Sequence, residues 1–183
     1  MKTGSHFEQC DNVQAAVDTK TMLIIGSFVS DAANDKEQLK PIVEAISPSV
    51  GKPANILADS GYFSAQAVSN VEKNGNGPTV YAAVERQPHG RRVSELEKKA
   101  DPPAPKLPEA SPTEIMVHRL QTTTGKALYK LRKETVEPVF GIIKEALGFR
   151  RFSMRGKENA KTEWSLSANI KPLHKLGMTL VTR

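Results

Sequence analysis

The chain has 183 residues, 38% of them apolar and 5% aromatic, a length that accommodates one domain with its own core. Its formal net charge of +6 permits an anionic partner such as nucleic acid, while the single Cys10 excludes an intramolecular disulfide and a cysteine-based zinc site. The sequence has no signal-peptide core and no apolar run long enough to cross a bilayer, which predicts a cytoplasmic protein without a membrane partner.

The first third of the chain predicts an antiparallel hairpin followed by a helix. After a polar N-terminal stretch typical of a loop, residues 12–17 (NVQAAV) and 22–29 (MLIIGSFV) have the composition of two strands joined by a tight turn. Apolar side chains then recur at helical spacing over residues 36–46, with Asp35 as the expected N-cap. Because Pro41 lies inside this segment, the helix is expected to begin late or to kink.

A third candidate strand, residues 55–58 (NILA), ends in the sequence Asp59-Ser60-Gly61. Ser64 is the expected N-cap of a helix over residues 65–73. A carboxylate between a strand and a helix lies where open α/β sheets place functional groups. An Asp before Ser-Gly is also common in ordinary turns, so on this segment alone a turn is the favoured interpretation.

The composition changes in the middle of the chain. Residues 79–84 (TVYAAV) predict one more strand, whereas residues 86–112 contain six prolines, mixed charges and almost no large apolar side chains. Such a segment buries too little apolar surface to offset the entropy lost on ordering. We therefore predict a flexible proline-rich insertion within a single domain that spans residues 1–183, followed by a helix from about residue 114.

The C-terminal third predicts two further helices. Thr135 is the expected N-cap of the first, whose opening turn holds Glu137 and a proline, which is tolerated there. Glu137, Gly141 and Lys144 follow at i, i+4 and i+7, so one face presents a carboxylate, a position without a side chain and an ammonium group. This face either admits a phosphate or a metal ion, or is an ordinary solvated surface. A second helix is predicted over residues 158–166.

Positive charge is concentrated in residues 126–161, which hold ten Lys or Arg residues and four Glu, a net charge of +6 that equals that of the whole chain. Arg150, Arg151 and Arg155 are interleaved there with two phenylalanines. This pattern suits phosphate contact and base stacking, although a core turn with a basic rim has the same composition. The basic field around Glu137 indicates a polyanion held beside an acid.

Several blocks of the sequence, in order over nearly the full chain, carry a resemblance to a known family. They are MKTGSHFEQCDNVQAAVD, SDAANDKEQL, ADSGYFS, YAAVERQPHG, ALYKLRKETVEPVFGIIKEALGFRRFSMRGKENAKTEWSL and the closing Leu173-His174-Lys175-Leu176. Together they resemble the C-terminal catalytic region of bacterial insertion-sequence transposases of the DDE type. The block from Tyr129 to Arg155 is highly specific, since it joins a Tyr-Arg-Glu-Lys signature to a Val-Phe-Gly-Ile-Ile-Lys helix. The resemblance implies an α/β fold of the ribonuclease H-like type, a mixed sheet flanked by helices.

The resemblance also implies the chemistry. Asp59 matches the second catalytic aspartate and Glu137 the catalytic glutamate, so both are implied ligands of two divalent cations. Carboxylates suit Mg²⁺ or Mn²⁺, which prefer oxygen ligands. Two such ions activate water or a 3′-hydroxyl as nucleophile and stabilise the leaving oxygen, which would cut and join DNA at transposon ends and target.

Implied DNA contacts surround the two acids. Tyr129 matches the signature tyrosine, and Lys144 the lysine seven residues after Glu137. Arg132 lies five residues before Glu137, whereas the usual spacing of four falls on Lys133, so the choice between these two cations stays open. The implied DNA-binding residues are Tyr129, Arg132, Lys133, Lys144, Arg150, Arg151 and Arg155.

The resemblance places the first aspartate of the triad upstream of the hairpin, ahead of Met1, so the sheet is expected to lack its first strand. Asp18 and Asp35, the nearest carboxylates, match other positions of the family pattern, and the region after Trp164 is shorter than in the family. Two hypotheses follow. The chain is a DDE transposase domain that cuts and joins DNA as part of a longer protein or with a supplied first strand, or it is an inactive fragment that binds only DNA or a full-length transposase. A homo-oligomer is a further expected assembly.

Overall fold

The computed structural model describes residues 2–3, 6–7, 12–32, 34–85, 101–103 and 110–175, and it combines short strands with helices. The strands are β1 Lys2–Thr3, β2 His6–Phe7, β3 Asn12–Val17, β4 Ile24–Ser30, β5 Asn55–Ala58 and β6 Thr79–Ala82. The α-helices are α1 Leu39–Glu44, α2 Ala65–Glu72, α3 Pro112–Gln121, α4 Thr123–Gly141 and α5 Lys157–Lys175. Helical turns of 3₁₀ type lie at Pro48–Val50, Ser60–Tyr62 and Lys73–Gly75, and a π-helical turn at Ile142–Ala146.

The described strands pair two by two, which gives a mixed α/β architecture with small sheets. β1 pairs with β2 and β3 with β4, both antiparallel, while β5 and β6 are parallel. The chain forms two compact units. The first consists of Met1–Asn34, Pro41–Gly51 and Glu134–Arg183, and the second of Asp35–Lys40 and Lys52–Lys133.

The first unit contains the predicted hairpin. β3 and β4 pair with Val13 opposite Val29, and the turn between them is held by Asp18, whose carboxylate accepts hydrogen bonds from the Thr21 N–H at 2.7 Å and hydroxyl at 2.6 Å. An added Cβ on Gly26 would lie 2.7 Å from the carbonyl oxygen of Ala45, so only glycine lets the chain after α1 approach β4 this closely. The predicted hairpin is therefore confirmed, whereas the N-terminal loop is corrected by the short β1–β2 pair.

The core of the first unit lies between the hairpin and the C-terminal helices. Helix α5 packs on β4, and the core cluster comprises Val29, Val139, Ile143, Ala160, Trp164 and Ala168. The indole of Trp164 stacks on the ring of Phe140, with centroids 6.2 Å apart. Val139 and Ile143 of this cluster are four residues apart, so one side of this helical segment faces the core.

The predicted start of that helix at Thr135 is wrong. Helix α4 runs without a break from Thr123, with Thr135 buried inside it and Pro138 near its end. The capping role falls instead to Thr122, whose hydroxyl oxygen accepts the N–H of Gly125 at 3.0 Å. Threonine is a residue type that often caps helices, but Thr135 lies on the buried side of a longer helix and does not begin one.

The second unit is built on the parallel pair β5–β6, in which Ile56 lies opposite Val80. Ser64 caps α2 as predicted, accepting the N–H of Ala67 at 3.1 Å. Helices α2 and α3 contact β6, and Met116 of α3 is almost fully buried there. Burial of apolar side chains such as that of Met116 stabilises the second unit.

A salt bridge connects helices α2 and α3 of the second unit beside β6. Arg119 of α3 forms a salt bridge with Glu72 of α2, and its guanidinium lies 5.8 Å from the centroid of the Tyr81 ring. Glu72 also accepts the N–H of Val80 at 2.8 Å. The pair therefore links two helices to the strand that neighbours β5.

Prolines occur in helix α1 and in the predicted insertion after β6. As expected, α1 begins late, at Leu39, which places Pro41 in its first turn, where no intrahelical donor is lost. Most of the predicted insertion over residues 86–112 lies outside the described residues. At its C-terminal side, Asp101 accepts hydrogen bonds from the Thr123 N–H and hydroxyl, both at 2.6 Å, so this end contacts α4.

Candidate functional site

Asp59 follows the last residue of β5 and begins the 3₁₀ turn at Ser60–Tyr62. One carboxylate oxygen, Oδ1, accepts the N–H of Ser60 at 2.8 Å. The other, Oδ2, lies 3.8 Å from Nη1 of Arg132. The Asp59 side chain is nevertheless 60% exposed. The turn thus fixes the direction of a carboxylate that stays open to solvent.

Tyr129 and Arg132 of α4 reach this strand end together because they are three residues apart on one helix. The Tyr129 hydroxyl donates to the carbonyl oxygen of Ala58 at 3.2 Å. The Arg132 guanidinium lies 5.5 Å from the centroid of the Tyr129 ring, and its side chain is only 15% exposed. Burial raises the pKa of the Tyr129 phenol; the Arg132 charge opposes this shift and the Asp59 charge adds to it.

Tyr62 and Asp35 are neighbours of Asp59 that sequence reasoning did not place there. Burial, followed by the negative charges of Asp35 and Asp59, raises the pKa of Tyr62 to about 12. A Cβ added to Gly61 would lie 3.3 Å from Oδ2 of Asp35, so that carboxylate borders the turn after Asp59. Asp35 was predicted only as a helix cap, since its proximity to this turn depends on how distant segments pack.

Glu137 and Lys144 belong to the first unit, and both side chains are exposed. Apart from its chain neighbours and the backbone of its own helix, no described atom lies within 4 Å of a Cβ added to Gly141, so the position between them is open, as expected. Lys144, however, lies in the π-helical turn rather than in a continuous α-helix. A π turn has more residues per turn than an α-helix, so the predicted i, i+4, i+7 face is shifted after Gly141.

The basic turn between the π-helical turn and α5 carries the three arginines, whereas its two phenylalanines contact the core of the first unit. Phe149 lies 5.4 Å from Phe152 and 6.2 Å from Trp164 between ring centroids, and both phenylalanines pack against the core of the first unit. Of the two sequence interpretations, the core turn with a basic rim is therefore the one observed. The exposed residues of this rim are Arg150, Arg151 and Arg155.

The arginines of the rim differ in their partners. Arg150 forms a salt bridge with Glu145 at 2.5 Å. Within the described part of the chain, neither the Arg151 nor the Arg155 side chain has a hydrogen bond or an ion pair. Arg151 and Arg155 are consequently the rim charges that no carboxylate of the described residues pairs with.

The predicted site residues thus fall into two sets. Asp59, Tyr129 and Arg132 meet in the second unit, which also holds the exposed Lys133. The first unit holds Glu137, Lys144, Arg150, Arg151 and Arg155. Between the two cations left open by the spacing, the one beside Asp59 is Arg132. Among the described residues, no three His, Cys, Asp or Glu side chains are grouped so that they could hold a metal ion.

A model of the transposase DDE domain matches residues 1–170 of this chain. No match was found among the curated proteins or the solved structures. In the described part of the chain, no helix is long and apolar enough to span a membrane. The matched family acts on DNA in transposition and generally uses divalent metal ions. The match covers most of the chain, and the protein therefore belongs to the transposase DDE domain family.

Proposed function

We propose that this chain is the catalytic region of a bacterial insertion-sequence transposase with a ribonuclease H-like arrangement, which cuts DNA strands and joins them to target DNA. The family match supports a role in transposition. The structural observation that carries the proposal is the Asp59 carboxylate, which a parallel strand delivers to a turn, where a backbone N–H orients it and solvent reaches it. The ends of parallel strands are where α/β proteins place reacting groups.

Asp59 and Glu137 are the proposed metal ligands. Both are exposed carboxylates, and this donor type fits Mg²⁺ or Mn²⁺, which keep several waters and accept phosphate oxygens of the substrate. Such ions, when bound, activate the attacking hydroxyl and stabilise the leaving oxygen of the phosphodiester.

The other residues have supporting roles in this proposal. Tyr129 ties α4 to the end of β5, and Arg132 holds its positive charge beside the Asp59 carboxylate. Lys133 and Lys144 bind DNA phosphates near the cut. Arg150, Arg151 and Arg155 bind the flanking duplex through contacts that weaken with salt.

The test is cleavage of DNA that carries the ends of the element, in Mg²⁺ or Mn²⁺, by the full chain. We expect nicking by the unmodified protein and its loss in Asp59→Asn and Glu137→Gln. Glu158→Gln is the matched control, because it removes an exposed carboxylate of the first unit that pairs only with Lys161 among the described residues. Equal loss of nicking in Glu158→Gln would contradict the specific roles of Asp59 and Glu137.

A second function, DNA or transposase binding without catalysis, is favoured by Arg151 and Arg155, which have no ion-pair partner among the described residues and need no metal to bind phosphate. Retention of DNA without nicking in either metal would establish this function and contradict the catalytic one. Co-purification with a full-length transposase, or self-association in sedimentation, would identify the protein partner. Absence of DNA binding would contradict the catalytic function, and absence of both DNA and transposase binding would contradict the second one as well.

A further inference from the structure

The segment Gly148–Gly156, hereafter the arginine turn, has a specific conformation at both ends. Gly148 and Gly156 have φ angles of +66° and +94°, which glycine adopts without a steric penalty. The N–H of Phe149 donates to the carbonyl oxygen of Ile143 at 3.0 Å, which ties the start of the turn to the preceding helical segment. The Phe149–Trp164 contact anchors its apolar side.

Glu163 of α5 holds the middle of the arginine turn. Its Oε2 accepts the N–H of Ser153 at 2.9 Å, while Oε1 accepts the Ser153 hydroxyl at 2.9 Å and the N–H of Met154 at 2.7 Å. A single carboxylate thus satisfies two backbone donors and one side-chain donor of the turn. Charge-assisted bonds of this kind are stronger than those between neutral groups.

The identity of the groups bound to Glu163 determines whether the arginines of the turn keep their positive charge unpaired by this acid. Glu163 is an acid in a strongly basic segment, yet its bonds within the described part of the chain go to Ser153 and Met154 and not to an arginine. Arg151 and Arg155 remain exposed without an ion-pair partner among the described residues. The acid therefore orders the backbone that carries the two cations without neutralising them by direct contact.

We propose that Glu163 is a positioning residue for DNA binding: it holds the arginine turn in the conformation that presents Arg151 and Arg155 to DNA phosphates. This inference rests on the proposed DNA-binding function. By charge alone, removal of an acid from a basic surface would strengthen the attraction to DNA. If Glu163 positions the arginines, its removal weakens binding instead.

The experiment measures the affinity of the full chain for a fluorescently labelled DNA duplex at several salt concentrations. Glu163→Gln keeps the side-chain size but turns an amide N–H₂ toward a donor of the turn. Loss of two phosphate contacts would lower the slope of log K against log salt by about 1.8 and weaken binding by up to about 60-fold at 0.1 M salt. The double variant Arg151→Ala/Arg155→Ala should show the same changes.

Glu158→Gln is the matched control, because it removes the same charge from the same helix without touching the turn. It should leave the slope unchanged and the affinity equal or higher. Adding Glu163→Gln to the double arginine variant should cause no further loss, whereas general structural damage would add to it. Unfolding midpoints and the emission of Trp164, the only tryptophan of the chain, establish that each variant is folded.

The inference is overturned if Glu163→Gln binds DNA as tightly as the unmodified chain with the same salt slope. It is also overturned if the double arginine variant binds normally. No DNA binding by the unmodified chain would instead contradict the proposed function on which the inference rests. If Glu163→Gln does not fold, Ser153→Ala removes only the hydroxyl bond to Oε1, and a smaller loss of affinity and slope is then expected.

Discussion

The hydroxyl of Tyr129 donates to the carbonyl oxygen of Ala58 at 3.2 Å, and this bond ties helix α4 to the residue that directly precedes Asp59. The same tyrosine ring lies beneath the guanidinium of Arg132, which approaches the Asp59 carboxylate. A tyrosine and an arginine one helical turn apart therefore position the end of a strand that is distant in sequence. This relationship gives Tyr129 and Arg132 a physical role in the second unit.

Replacement of Tyr129 by Phe tests that role. It removes the hydroxyl that donates to Ala58 but keeps the ring beneath Arg132, so the free energy of unfolding should fall by about 1 kcal/mol. Urea denaturation of the two proteins measures the difference. An unchanged midpoint would show that the bond to Ala58 contributes nothing to stability.

Replacement of Arg132 should affect the rate of DNA nicking, whereas replacement of Lys133 should affect DNA binding. Arg132→Gln removes the charge beside Asp59 and should slow single-turnover nicking by about fivefold, the equivalent of about 1 kcal/mol for a partly exposed ion pair. Lys133→Gln, from the exposed side of the helix, should instead weaken DNA binding and lower the salt slope by about 1. A nicking defect confined to Lys133→Gln would reverse this assignment.

Tyr62 should make stability fall at high pH. Its phenol is neutral in the folded protein up to about 12, whereas in the unfolded chain it ionises near its ordinary value of 10. Above the ordinary value the unfolded state binds fewer protons, so stability decreases as pH rises between these two values, by at most about 2–3 kcal/mol. Denaturant unfolding at a series of pH values measures this loss. Tyr62→Phe should flatten the decrease, and an equally steep decrease in that variant would refute the assignment.

Thr122 should stabilise the start of α4. Thr122→Ala removes the oxygen that accepts the Gly125 N–H and should lower the free energy of unfolding by about 1 kcal/mol, whereas Thr122→Ser keeps that oxygen. Thermal or denaturant unfolding compares the two variants. Equal destabilisation by both would show that the methyl group, and not the cap, matters.

Much of the secondary structure followed from local chemistry. The hairpin of β3 and β4 and the helix capped by Ser64 are encoded in apolar patterns and in side chains that bond to backbone a few residues away. The family was recognised from sequence blocks, and the domain match supports it. The error at Thr135 has a physical cause, because a hydroxyl residue suits a helix cap as well as the buried side of a longer helix.

The sequence by itself therefore determined the family, the local elements and the residue types of the candidate site. Only the tertiary structure decided that Arg132 lies beside Asp59, that Asp35 borders the same turn, and that Glu163 binds the backbone of the arginine turn. A cap or a helical stripe depends on neighbours within one turn, which a sequence displays directly. A contact between a carboxylate and a distant donor depends on how strands and helices pack, and no local spacing records it.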